Sequence, residues 1–371
     1  MDFTNFNDLF AMSDDTNPLM MIIWIVPIIL FVFYGQRIQL YITSGEIKKA
    51  IKKLDGYKNE SRIELIDYIK KNLTPKNDPT KKIDQFLDYF TIMPVDMDPN
   101  GIIDKVKHTV RSREDFTREH VKSLSPKTSD LEIAKVQTLL EIASSLQMIY
   151  KIVNHMYLTA KKQNNYPLIL PLQMLLPFIM EQADAMKDAI PAFKTGQPVG
   201  DGIGPMVIGK MMLDCTKELV SFQTILSKTK FEDRQLFLLK AEGPTSTVGR
   251  PADALDAIIS ENKIDAIIMI DAALKMEGEE SASVSRGFGA AIGGIGTERF
   301  EIESIATKNK IPIFSIVIKQ SVKEAITLMT KEIADQADNV RSQVYEMIQE
   351  NTTQGQSVLI IGVGNTVGVS Q

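Results

Sequence analysis

The stretch Lys263–Glu280, KIDAIIMIDAALKMEGEE, decides how the second half of the chain reads. Ile264 to Ile270 is apolar except for Asp265, and the run ends at Asp271. A short Ile-rich run with a helical pattern on each side is the signature of a strand buried on both faces of a parallel sheet. In open α/β sheets the ligand crevice lies beyond the carboxyl ends of the strands, which is where such a strand delivers Asp271. A strand-end Asp also serves as an ordinary cap for the next turn, and this residue alone does not separate the two roles.

Outward from that run, Gln235–Lys240 (QLFLLK), Ile311–Ile318 and Val358–Ile361 read as further strands. Helices are expected over Met206–Ser221, with Pro205 in its first turn, and over Ala252–Glu261, Glu298–Lys308 and Val322–Glu350. Strands alternating with helices call for a parallel sheet with right-handed crossovers. The expected fold class is therefore α/β, a mostly parallel sheet with flanking helices. In Val322–Glu350 the apolar residues recur at three- and four-residue steps. This gives either one helix across the sheet or a heptad seam that would make a homo-oligomer.

Unusual residues collect at the carboxyl ends of these strands: Gly243–Arg250, Asp271, Gln320 with Ser321, and Gly362–Gly368. Glycine there permits positive φ and close backbone approach, and a loop opening a helix can cradle an anion. Gly243, Thr247, Gly249, Arg250, Gly362, Gly364 and Asn365 are the resulting ligand-binding candidates. Ordinary tight turns explain these loops as well. Gly243–Arg250 lacks the Lys-Ser/Thr of a P-loop, and GFGAAIGG does not follow a strand directly.

A second acid, Asp201, sits in the Gly- and Pro-rich stretch Thr195–Pro205, just before a helix whose N-terminus favours its charged form. If Asp201 and Asp271 enter one crevice they share a proton, because like charges at close range push two pKa values apart. Such a pair holds a water between a base and an acid. Alternatively it binds a divalent cation, the one candidate cofactor, together with Glu242 or Glu277.

Composition narrows the chemistry. The chain has 371 residues, room for two domains, and its 44% hydrophobic and 24% charged content is that of a globular protein. A net charge of −5 without a basic block argues against nucleic acid as a partner. The lone Cys215 excludes an intrachain disulfide and a cysteine-based zinc site. His108, His120 and His155 all precede the α/β half, so a His-based triad within that half is excluded.

Four regions are expected: a tail over 1–17, an anchor over 18–40, a helical region over 41–194 and the α/β domain over 195–371. Pro18–Tyr34, PLMMIIWIVPIILFVFY, carries no charge, and a secretory signal fits poorly because no Lys or Arg precedes it. It reads as an uncleaved transmembrane helix, making the membrane a partner through residues 18–40. The lysines that follow place the N-terminus outside and the rest in the cytoplasm. Glu46–Leu54, Ser61–Leu73, Lys82–Phe90 and Ser129–Gln163 read as helices. Asp96, Asp98 and Asn100 begin like a calcium loop, but the twelfth position is Lys107, which rules that reading out. Leu168–Met180 reads as a buried core helix, with a membrane-dipping segment as the alternative.

GDGIGPMVIGKMML (Gly200–Leu213) resembles the Asp-Gly-x-Gly-Pro helix start of the hydrogenase maturation endopeptidases, and is similar to the Pro-Asp-Ala-Leu-Gly-Pro of the spore germination protease. TSTVGR, a helix and then IIMIDAAL resemble the Gly-Thr-x-Gly loop, helix and Ile-Asp-Ala strand of the same group. SVSRGFGAAIGGIGTERFEI is similar to the segment that follows in the germination protease. The group's Gly-x-Gly-Asn, which normally ends its first strand, is similar to GVGNT at Gly362–Thr366, so the resemblance implies a circular permutation. It covers roughly residues 195–371 and implies that Asp201 and Asp271 are the acidic site residues. The metal-binding His of the hydrogenase-processing branch has no counterpart here, which leaves the germination protease as the nearer analogue. Taken whole, the chain looks like an archaeal family of membrane-anchored proteins of unknown function. Two functions are therefore expected as alternatives: a hydrolase, most simply a peptidase, using the aspartate pair, or a non-catalytic ligand-binding or assembly protein using the glycine loops for an anion.

Overall fold

Apolar residues at helical spacing build the first half of the chain. A computed structural model describes residues 18–91, 101–163, 166–293 and 296–370. Among the described residues five α-helices come first: α1 (Pro18–Asn72), α2 (Thr80–Leu87), α3 (Ile102–Leu124), α4 (Asp130–Gln163) and α5 (Tyr166–Thr195). The fold divides into two compact units. One is built from the chain up to Lys53 together with Lys151–Pro177. Ile47, Val153, Tyr157, Ile169 and Leu172 are buried in it, and Thr43 Oγ1 donates to Gln173 Oε1 at 3.2 Å. The other unit, Leu54–Tyr150 with Phe178 onward, holds the rest of the helices and the whole sheet.

After a single 3₁₀ turn at Gly200–Gly202 come α6 (Ile203–Met211), β1 (Lys217–Ser221), β2 (Thr224–Phe231), β3 (Arg234–Ala241), α7 (Pro251–Glu261), β4 (Ala266–Leu274) and β5 (Val284–Phe288). Then follow α8 (Thr297–Asn309), β6 (Ile313–Gln320), α9 (Val322–Ile326), α10 (Lys331–Asn351) and β7 (Ser357–Gly362). The sheet order is β1-β2-β3-β7-β4-β6-β5. The four central strands are parallel, while β1, β2 and β5 add antiparallel edges. Strand alternation divides the core between the two faces. Ile268, Ile270, Ile316 and Ile360 pack against residues of α6 and α10. Ile267, Met269, Leu359 and Ile361 pack against residues of α7 and α8.

Several expectations need correction. Among the described residues no helix is long and apolar enough to cross a membrane. The anchor over 18–40 is therefore not found, and the single-pass topology with an outside N-terminus and a cytoplasmic remainder goes with it. The apolar stretch Pro18–Tyr34 has 17 residues against about 20 for a span, and α1 continues through it into the charged segment from Arg37. The tail over 1–17 and the loop around Asp96 lie outside the described residues.

The sheet is mixed rather than mostly parallel. Met206–Ser221 is not one helix, because α6 ends at Met211 and Lys217–Ser221 pairs with β2. The Gly-rich segment after Ser283 contains β5, and the helix expected over Val322–Glu350 breaks where Leu328 bridges to Val199. Beyond that break α10 lies on the sheet, burying Ile333, Val340 and Val344. The two short helices expected over 46–54 and 61–73 are parts of the unbroken α1. In α5 the segment read as buried core leaves Met174, Leu175 and Phe178 exposed.

Candidate functional site

Asp271 lies inside β4 rather than at its end. In the register Ile270 faces Gly362, the last residue of β7, while β4 runs on to Leu274. The neighbouring strand thus stops beside Asp271 and opens a crevice. Val363 N donates to Ile270 O at 2.8 Å as β7 leaves the sheet. By alternation the Asp271 side chain projects to the face covered by α7 and α8.

Three glycines bring Asp201 to the same place. A Cβ on Gly204 would overlap the carbonyls of Val363 and Ile270, one on Gly362 would overlap Gly204 O, and one on Gly364 would overlap Asp201 O. Only glycine lets the start of α6 lie this close to the ends of β7 and β4, and Gly364 also needs its φ of +136°. The turn bearing Asp201 is tied down on both sides. Asn365 N donates to Asp201 Oδ2 at 2.7 Å, and the fully buried Gln320 donates through Nε2 to Gly200 O at 3.0 Å.

Asp201 and Asp271 line one cavity of about 340 Å³ with Arg250, Gly293, Thr297 and Glu298. Asp271 is 5% exposed. Burial holds its carboxyl well above the usual aspartate range, and the charge of Asp201 pushes it further the same way, against opposing hydrogen bonds from the N–H groups of Ala272 and Gly293. Burial also raises Asp201, but the Asn365 N–H favours its ionised form. Of the two, Asp271 is the better holder of a single shared proton.

The other predicted residues separate into groups. Gly249, Arg250 and Gly364 line this cavity, whereas Thr247 and Asn365 line an adjoining polar cleft. Gly243 and Gly362 are packing positions, closed against Val369 and Gly204. The loop from Gly243 to Arg250 spends its polar groups internally. Thr366 Oγ1 lies within hydrogen-bond distance of the carbonyls of Glu242, Thr245 and Thr247, and Thr224 Oγ1 accepts from Arg250 N. The start of α7, expected to hold an anion, is filled by the protein's own Glu298, whose Oε2 accepts from Ala252 N at 3.1 Å.

Sequence reasoning missed the wall contributed by α3: Lys107, Val110, Arg111 and Glu114. Lys107 Nζ lies 3.1 Å from Asp253 and 2.6 Å from Glu301. Arg111 Nη2 lies 2.8 Å from Asp253 and 3.4 Å from Glu298. Burial holds Glu114 above the ordinary glutamate range. The positions 107, 111 and 114 fall on one helical face, the only local signal available. Among the described residues no three His, Cys, Asp or Glu side chains group as a metal site, and neither Glu242 nor Glu277 lines the cavity.

Residues 21–196 match the N-terminal domain of a protein family of unknown function, DUF1512, and residues 199–370 match the C-terminal domain of the same family. The chain belongs to this family. No curated protein and no solved structure matches it.

Proposed function

We propose that this member of the DUF1512 family is a hydrolase acting on peptide bonds, with Asp201 and Asp271 as its acid–base pair. The observation that carries the reading is the placing of both carboxylates in one cavity, Asp271 buried and Asp201 half-buried, with the charge of Asp201 acting on Asp271. Ionised Asp201 takes a proton from water as the water oxygen bonds to the scissile carbonyl carbon. Protonated Asp271 gives its proton to the leaving nitrogen as the C–N bond breaks, so one water is consumed and the pair keeps one proton. The circular permutation belongs to the same proposal. Supporting it are the central position of β7 and the hydrogen bond from the GVGNT loop to Asp201. The anion-binding alternative is weakened by the internal use of the glycine-loop N–H groups and by Glu298 at α7.

The experiment compares wild type with Asp201→Asn and Asp271→Asn on a random-sequence peptide library, read by mass spectrometry. Cleavage lost in both variants supports the pair. Cleavage equal in all three, or absent in wild type, contradicts it.

A further inference from the structure

We infer that the substrate of this site is an extended polypeptide that pairs its main chain with the free edge of β4 beyond Ile270. The inference rests on the aspartate-pair reading for its chemistry, but the binding geometry stands separately. Peptide groups of a strand point alternately to its two neighbours. In β4, Ile267 N donates to Pro312 O beside β6, whereas Ile270 O accepts from Val363 N beside β7. Odd-numbered groups therefore face β6 and even-numbered groups face β7. Because β7 ends opposite Ile270, Ala272 and Leu274 turn their peptide groups toward a neighbour that has stopped. Ala272 N is held by Asp271 Oδ1 at 2.8 Å. Ala272 C=O and the Leu274 N–H and C=O find no ladder partner among the described residues. Such an edge recognises another main chain in extended form.

The space beside Asp271 fits a chain passing through. Asp271 lines the first cavity and also a second of about 460 Å³, and Ile292 and Gly293 wall both. The second cavity lies over β5 and β6, where Ala272, Ala273, Gly287 and Gly289 leave room for a chain and Arg286, Arg299 and Val317 also line it. Leu274 and Phe288, which also line it, are 63% and 87% exposed and offer apolar contact to a bound segment. A substrate strand lying here presents its carbonyls to the aspartate pair at two-residue intervals.

The test uses the full chain and fluorescein-labelled casein, an unfolded polypeptide. Binding is read by anisotropy in the Asp271→Asn background and cleavage in the native one. Leu274→Pro removes the edge N–H without touching a β6 hydrogen bond, and Leu274→Ala keeps it. With folding verified by circular dichroism, Leu274→Pro should weaken casein binding about tenfold, the worth of one well-made hydrogen bond, and Leu274→Ala much less. If Leu274→Pro does not fold, a casein-derived decapeptide N-methylated at alternate residues replaces it. One methylation register should abolish binding and the other spare it. Equal binding by wild type and folded Leu274→Pro, equal effects of both registers, or no casein binding by wild type would overturn the inference. Edge-dependent binding without cleavage would sink the hydrolase reading alone, and aspartate-dependent cleavage indifferent to Leu274→Pro would sink the edge alone.

Discussion

The backbone N–H of Asn365 donates to Oδ2 of Asp201 across 2.7 Å, joining positions 164 residues apart. The approach depends on Gly364, where a Cβ would overlap the Asp201 carbonyl at a φ of +136°. Gly364→Ala should cost about 3 kcal/mol or more in urea denaturation, because strain and overlap act together. Gly56→Ala, in α1 with open space around its Cβ, should instead gain about 0.5–1 kcal/mol. A Gly364→Ala cost as small as an ordinary surface change would mean that the loop yields freely.

Stability should fall as pH rises through the range where Asp271 ionises. Its folded pKa is raised by burial and by Asp201, so between the unfolded value and the folded value the native state holds the extra proton. Folding is then favoured below that window and loses this contribution above it. Asp271→Asn removes the cost of keeping this buried carboxyl protonated or charged. At pH 7.5 it should raise Tm by about 2 °C or more, the effect of roughly 1 kcal/mol in a unit of this size, and should flatten the pH dependence. A lower Tm with unchanged pH dependence would contradict the assignment.

The α3 wall should be held electrostatically. Asp253 is pushed up by burial, but Arg111 and Lys107 bring it below the ordinary aspartate range. Their contribution is therefore present above the unfolded pKa and lost as pH falls through the lowered one. A double-mutant cycle of Arg111→Met with Asp253→Asn should give a coupling above about 1 kcal/mol, shrinking in 1 M salt. Zero coupling would show that the wall does not need the pair.

What the sequence disclosed follows from where each signal resides. β3, β4, β6 and β7 are short apolar runs buried on both faces, and each was legible as a strand. The β1–β2 hairpin was not, because Thr224–Phe231 mixes Lys, Thr and Ser and buries only its first half. Asp201 stood out by the glycines around it and Asp271 as the acid that closes an apolar run. Lys107 and Arg111 did not, since their acidic partners lie on α7 and α8, more than a hundred positions away. The anchor was misread because an uncharged run was judged by composition, without the continuation of α1 into charged sequence.

The shared proton can be observed on the carboxyl carbons themselves. In protein labelled with [¹³Cγ]aspartate, with Asp201→Asn and Asp271→Asn used to assign the two resonances, a pH titration follows each site separately. Asp271 should stay protonated well above the ordinary aspartate value of about 3.9, and Asp201→Asn should lower its titration. Two carboxyls ionising independently near that ordinary value would contradict the shared proton.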